Sequence, residues 1–511
     1  MYACTKGATT LGVDGVIIDV EVDVDVSNGL PCFEMVGMPD AMVREAKERV
    51  RIAIRNSGIR LQQDKVTVNL APAGMRKDSA GLDLPIAVAL LAAYGVIPTE
   101  GLDRYLFISE LSLEGECRRV SGVLPIAIRA QESGLQAVVV AKGNINEALL
   151  VDGIAVYGIE NLSELVEFLS GRGELQPAAK EPAQEEREVL QDDFCDVQGQ
   201  FLAKRAFEIA AAGGHNIVLS GSPGAGKTML ARRMGSILPD MTRKEALEVT
   251  KIYSIAGLLK NNSGLITRRP FRSPHHTVSS AAMIGGGSIP KPGEVTLSHN
   301  GVLFLDELPE FGKNALECLR QPLEDGFVSV SRVNATLSFP SRIMLIAALN
   351  PCPCGYYGDS EIPCECSLPQ IKKYTRKLSG PLLDRFDIQI RVPRVSYQEI
   401  TSEVRAEKSS VIRQRVVAAR KIQLDRFREL DIVCNAQMNH GILKKYCQLT
   451  DEAQELMETA FQERNLSARS YDRIVKVAQT VADLSGSDII SEIHIGEALQ
   501  LRGEILPGNN F

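Results

Sequence analysis

The chain has 511 residues, 44% hydrophobic and 24% charged, a mixture that excludes a disordered or low-complexity protein and suits about two to four domains. A net charge of -7 does not advertise a nucleic-acid binder, although a local basic face is compatible with it. The N-terminus carries Lys6, Asp14 and Asp19 without a long apolar core, and the most apolar stretch, Ile86 to Ile97, is too short to span a bilayer, so neither a signal peptide nor a membrane contact is expected. Eleven cysteines then point to a reducing, cytoplasmic setting with thiols free or metal-bound.

Residues 18–26 alternate between apolar and acidic, with Ile18, Val20, Val22, Val24 and Val26 on one face, which is the period of a half-buried strand. Asn28-Gly29 marks a turn. Val43, Ala46, Val50 and Ile54 give residues 40–57 the spacing of an amphipathic helix. Val66 to Leu70 reads as a strand and residues 83–94 as a buried helix. The stretches 68–73, 77–85, 110–115 and 121–125 resemble the proteolytic domain of Lon-type proteases. That resemblance puts Ser79 at the position of the Lon nucleophile, but the segment Gly122 to Arg129 has no lysine where Lon has its base. A serine without a base is a poor nucleophile. Residues 1–170 are therefore expected to be Lon-like in fold and not proteolytic, with Ser79 a loop or cap hydroxyl.

Residues 171–193, rich in Glu, Gln, Pro and Ala, have the composition of a linker. An apolar strand pattern from Asn216 to Ser220 then runs into Gly221-Ser222-Pro223-Gly224-Ala225-Gly226-Lys227-Thr228, and a helical pattern follows. In that context the glycines let backbone N–H groups converge on an anion, Lys227 reaches the outer phosphates of ATP, and Thr228 offers its hydroxyl to Mg²⁺. Gly301 to Leu305 is a second buried strand pattern, ending in Asp306, suited to hydrated Mg²⁺, and Glu307, suited to polarising the attacking water. Ile343 to Leu349 ends at Asn350, an amide placed to orient water at the γ-phosphate. Between these motifs, 264–287 carries Arg268, Arg269 and Arg272, readable as a phosphate-backbone loop or as a solvated one, and 326–340 reads as a hairpin. His275 and His276 are adjacent, which points them apart on a helix or strand, so they read as polar loop contacts.

Cys352, Cys354, Cys364 and Cys366 could close a tetrahedral zinc shell, a disulfide being the alternative. From Tyr397 onward the pattern is helical, over 409–429, 451–463, 467–485 and 491–502, and the first of these is strongly basic. Arg385 lies in a short apolar frame and Arg469 opens a helix.

Together, and with Arg272-Ser273-Pro274-His275-His276 and Lys291-Pro292-Gly293-Glu294, these residues resemble the magnesium-chelatase-like AAA+ ATPases of the YifB/ComM type along nearly the whole chain. The resemblance implies an α/β protein: a Lon-protease-like α+β domain, an AAA+ P-loop α/β core at 194–395 and a helical lid at 396–511. It also implies a ring, usually a hexamer, with Arg385 as arginine finger on a neighbour's nucleotide and Arg469 as second sensor in cis. The expected function is a Mg²⁺-dependent ATPase that moves or remodels DNA by branch migration in recombination or natural transformation. The rivals are a metal-chelatase motor subunit and a nucleotide-gated regulatory scaffold.

Overall fold

The computed structural model describes residues 1–26, 31–62, 64–77, 79–180, 192–259, 264–286, 290–332, 335–359, 361–395, 406–464, 466–503 and 505. The Asn28-Gly29 turn, residues 181–191 of the expected linker and 396–405 lie outside the described residues.

The N-terminal part is a seven-stranded mixed sheet in the order Cys32–Val36, Lys65–Ala71, Asp14–Asp25, Tyr2–Leu11, Tyr105–Ile108, Ala137–Ala141, Ala155–Ile159. The alternation at 18–26 works as expected for Ile18, Val20, Val22 and Val24, all fully buried under the helices Ala41–Asn56 and Asp83–Ala93. Val26 falls beyond the strand end and is 53% exposed. The helix Asp83–Ala93 has no polar face, and every one of its residues is buried. The helix Val123–Glu132 covers the other side of the sheet. Ser79 caps the short helical turn Ala80–Leu82, its hydroxyl accepting from the Gly81 N–H at 3.1 Å.

The second sheet positions the site. Its five strands are parallel, in the order Phe271–Arg272, Val302–Leu305, Met344–Leu349, Ile217–Ser220, Ile388–Arg391. Strands buried on both faces read as continuous apolar runs, which is why these segments lack alternation. Ile217, Leu219, Phe304, Ile346 and Ile390 face a core shared with the C-terminal helices. Val218, Leu303, Leu305, Leu345 and Ala347 face a second core toward the hairpin Phe327–Arg332 and Ala335–Pro340. Phe271–Arg272 is the departure from the expected loop at 264–287: Phe271 packs beside Phe304, ring centroids 6.1 Å apart, and joins the sheet as an edge strand.

The C-terminal helices are Ser409–Arg426, His440–Tyr446, Asp451–Glu463, Ala468–Ser485 and Glu492–Gln500 among the described residues. Val475, Ala478, Val481 and Ala482 form the buried face that their spacing predicts. A buried ionic cluster ties these helices to the sheet. Asp387 accepts from the Asn216 N–H at 3.2 Å, pairs with Arg473, and faces His215 Nδ1 at 3.4 Å. His215 in turn bonds Thr480 at 2.7 Å. Burial opposes the charge on Asp387, but Arg473 and His215 outweigh it and hold the carboxyl well below the usual carboxylate range. Removing one partner of such a cluster leaves a buried charge uncompensated, at a cost of about 3–5 kcal/mol.

The two sheets meet along the helix Arg243–Ile255. Its Lys251 pairs with Asp14 at 3.0 Å, Ser254 Oγ donates to Glu147 at 2.5 Å, and the Ser254 carbonyl accepts from the Gly122 N–H at 3.2 Å. No helix among the described residues is long and apolar enough to cross a membrane.

Candidate nucleotide-binding site

Parallel pairing sets Ser220 opposite Leu349, so the chain enters the phosphate loop beside the point where Asn350 leaves its strand. Gly221 is required there, because a Cβ would lie 2.3 Å from the Val392 carbonyl oxygen. Gly226, at φ +86°, turns the backbone into the helix Lys227–Ile237. The free N–H groups of that helix start and its partial positive charge face the loop.

Lys227 and Asn350 are brought together as the sequence predicts. The ammonium donates to the Asn350 side-chain oxygen at 3.1 Å and to the carbonyls of Gly221 at 2.6 Å and Ser222 at 3.0 Å. Thr228 Oγ1 donates to Asp306 at 2.6 Å, joining the loop to the acidic strand. A hydroxyl and a carboxylate are the hard oxygen donors that Mg²⁺ takes, so this pair fits the ion, with ATP phosphates as its further ligands. Glu307 adopts a left-handed backbone at φ +52°, uncommon for a residue with a Cβ, and its own N–H is fixed by Asp306 at 3.0 Å. Such strain at a strand tip aims the Glu307 carboxylate outward, where it is 57% exposed.

Three contacts at the site carry no signal in the spacing. His276 Nδ1 lies 3.6 Å from the Glu307 carboxylate. The histidine pair sits in a turn, not on a helix or strand, so the two rings stack with centroids 4.0 Å apart rather than pointing away from one another. Gln200, also left-handed at φ +55°, donates to the Pro393 carbonyl at 2.6 Å and the Ala225 carbonyl at 3.4 Å, bracing the phosphate loop from behind. Ser222 donates to Asp359, and that hydroxyl together with the N–H groups of Glu361 and Ile362 holds the Asp359 carboxyl at about 2. The Gln198-Gly199-Gln200 run before a helix is the one local cue among these.

The remaining expected residues lie apart from this cluster. Arg385 is buried, and its guanidinium pairs with Glu324 at 2.7 Å and donates to the carbonyls of Pro381 and Arg320. Arg469 is exposed in the first turn of Ala468–Ser485 and has no hydrogen bond or ion pair among the described residues. Arg269 bonds Glu245 and the carbonyls of Pro239 and Asn300, Arg272 makes a bidentate pair with Glu294 at 2.7 and 2.8 Å, and Arg268 also has a partner. The segment is thus held in the fold and is not the free basic loop that its composition suggests. The same holds on Ser409–Arg426, where Arg413 pairs with Asp240, Arg415 with Glu208 and Glu407, and Arg426 with Asp483, while Arg420 donates to the Ala211 carbonyl.

The four cysteines converge. Their sulfurs all lie within 4.8 Å of one another, with Cys352 Sγ 3.3 Å from Cys354 and 3.7 Å from Cys364, and all are free thiols. Tetrahedral zinc at a Zn–S distance of about 2.3 Å separates its sulfurs by about 3.8 Å, so the donor set fits that ion.

Comparison with known proteins agrees with this arrangement. Residues 193–400 match the family model for magnesium chelatase, subunit ChlI; residues 22–144 match the one for subunit ChlI of Mg-chelatase; and residues 406–502 match its ChlI C-terminal model. The competence protein ComM of Haemophilus influenzae is 42% identical over 510 residues, covering 98% of each chain. The chain belongs to the magnesium-chelatase-like family of the YifB/ComM type. That family lies within the AAA+ ATPases. An uncharacterised protein of Escherichia coli, YifB, is 42% identical over 493 residues, 96% of this chain and 95% of its own. A magnesium-chelatase 67 kDa subunit of Chlorobaculum parvum is 27% identical over 164 residues, 31% of this chain.

Burial pushes the Lys227 ammonium down to about 8, with Asp306 pulling the other way. Bound phosphates restore its charged form. Below about 8 the proton is already present, so affinity for ATP with Mg²⁺ should be flat with pH; above it, binding must take up a proton and affinity should fall by up to about tenfold per pH unit. Calorimetric titrations in buffers of different ionisation heat measure that uptake. Affinity that stays flat to about pH 9 with no proton uptake contradicts the lowered Lys227 ammonium and leaves its contact with phosphate standing.

Proposed function

We propose that the chain is a Mg²⁺-dependent ATPase that assembles as a ring, a hexamer in the family's usual form, and remodels or translocates DNA, with branch migration in recombination or natural transformation as its task. The observation that carries this reading is end-to-end similarity to a competence protein in a chain whose phosphate loop, Asp306, Glu307 and Asn350 converge. Phosphoryl transfer is mainly positioning and charge stabilisation. Lys227 and the loop N–H groups hold the phosphates, Thr228 and Asp306 hold Mg²⁺, Glu307 polarises water, and Asn350 orients it. Arg469, exposed and unpaired among the described residues, is available as the sensor in cis. The four cysteines hold a structural zinc ion, a closed shell with no open position for catalysis.

For DNA, a better basic surface than the paired arginines is the helix Leu368–Thr375 and its cap. Lys372, Lys373 and Arg376 are exposed, have no ion pair among the described residues, and line a shallow groove of about 350 Å³ with Leu368 and Pro369. A phosphate backbone suits such a face. Against the chelatase-motor reading, the magnesium-chelatase 67 kDa subunit is similar over 31% of this chain and the competence protein over 98%; the regulatory-scaffold reading expects slow turnover indifferent to DNA. Turnover should rise with branched, single-stranded or duplex DNA, and the triple alanine variant at 372, 373 and 376 should lose that rise while keeping basal turnover. A rate unchanged by every DNA form supports the scaffold and contradicts the motor.

Arg385 acts on the neighbour's nucleotide in this proposal, which requires it to leave Glu324 when the ring closes. Arg385→Ala should form rings yet lose about a thousandfold in turnover. Mixing it with excess Lys227→Ala subunits should restore part of the rate, because the second variant's Arg385 meets the first variant's phosphate loop. Mixed rings with no recovery at any ratio count against a role in trans.

A further inference from the structure

The four-cysteine segment is not a separate ornament of the surface. It starts one residue after Asn350, whose amide holds Lys227, and ends at Ser367, which caps the helix Leu368–Thr375. Between those ends the described residues form no helix or strand and lean on the phosphate loop at two consecutive residues. At the first, Ser222 Oγ donates to the carboxylate of Asp359, itself fixed by the N–H groups of Glu361 at 2.9 Å and Ile362 at 3.0 Å. At the second, Gly355 lies so close over Pro223 that a Cβ there would sit 2.5 Å from its Cδ. Gly355 also has φ +88°, so a side chain is excluded twice over.

We propose that this segment is a metal-held strap across the phosphate loop, so that a zinc ion on Cys352, Cys354, Cys364 and Cys366 sets how tightly the chain binds nucleotide. The inference rests on the zinc reading above. Cys352 and Cys354 sit at one end of the strap, Cys364 and Cys366 at the other, and between them Asp359 and Gly355 make the contacts to Ser222 and Pro223. Closing a loop by a metal clip removes the conformational freedom its ends would otherwise have. With the ion bound, Gly355 and Asp359 are presented to the phosphate loop in one arrangement, and the loop's outer wall is fixed before nucleotide arrives. Without it the two ends of the strap separate, Ser222 loses its acceptor, and ordering the loop falls to the nucleotide itself. A shell of four thiolates leaves zinc no free position, so the ion acts mechanically and not on the phosphates.

The test uses the full chain purified in reducing buffer. Zinc is counted by atomic emission, and the Kd for a fluorescent ATP analogue with Mg²⁺ is measured before zinc removal with a zinc-selective chelator, after it, and after Zn²⁺ is added back. The expected result is one zinc per chain, affinity weakened about five- to hundredfold on removal, and recovery with stoichiometric Zn²⁺. Asp359→Ala, which leaves all four thiols in place, should keep its zinc and far-UV circular dichroism yet bind the analogue more weakly. A chain that holds no zinc overturns the zinc reading and the strap together. Zinc that leaves and returns with no change in Kd, or Asp359→Ala with zinc and wild-type affinity, overturns the strap alone and leaves the structural zinc standing.

Discussion

The register of one pair of parallel strands governs the rest of the site. Ile217–Ser220 lies in register with Met344–Leu349, and Val302–Leu305 lies on the far side of the latter. Parallel strands deliver all their C-terminal ends to one edge, so the phosphate loop, Asn350 and Asp306 emerge side by side although they are far apart in the chain. A slip of one residue would turn Leu219 and Val218 to opposite cores and carry Asn350 away from Lys227. The apolar side chains on the two faces therefore hold the register, and the register holds the chemistry. At the other end of the same strands, Asn216 accepts from the Leu345 N–H and donates to the Arg385 carbonyl, fixing the sheet where it has no ligand to fix it.

Around this edge, charged side chains that look like a binding surface in the sequence are used for attachment. Arg272 of one family stretch meets Glu294 of the other and ties the two stretches together. Arg269 fastens the approach to the edge strand onto Glu245, in the helix that also carries the N-terminal sheet. Arg473 and Asp387 fasten the C-terminal helices. The nucleotide edge is thus linked on one side to the N-terminal sheet through Arg243–Ile255 and on the other to Ala468–Ser485, so a change in the phosphate loop has a physical route to both.

What could be read in the sequence was what repeats or is local. Continuous apolar runs gave the core strands, helical spacing gave Val43 to Ile54 and Val475 to Ala482, and the contiguous loop Gly221 to Thr228 announced its own chemistry. Cys352 to Cys366 were legible because their ligands are close in the chain. Pairings between distant residues were not. His276 reaches Glu307, Ser222 reaches Asp359, and Gln200 reaches Ala225 only because the sheet places them so, and no period records that. The partners of Arg269 and Arg272 were not legible for a related reason: composition counts charges and cannot tell a guanidinium facing solvent from one bonded to Glu245 or Glu294. His275 and His276 are the polar loop contacts expected of them, meeting Thr277 and Glu307, but which partners they meet was not legible.

The proposed site divides its labour between Lys227, assigned to phosphate, and Glu307, assigned to the attacking water. Equilibrium ATP binding and steady-state hydrolysis measured on Lys227→Ala and Glu307→Gln separate the two roles. Lys227→Ala should fail to bind nucleotide, whereas Glu307→Gln should bind ATP as the unaltered chain does and hydrolyse it slower by about a hundredfold or more. Both variants binding and turning over ATP at the unaltered rate would contradict the assignment of this edge as the nucleotide site.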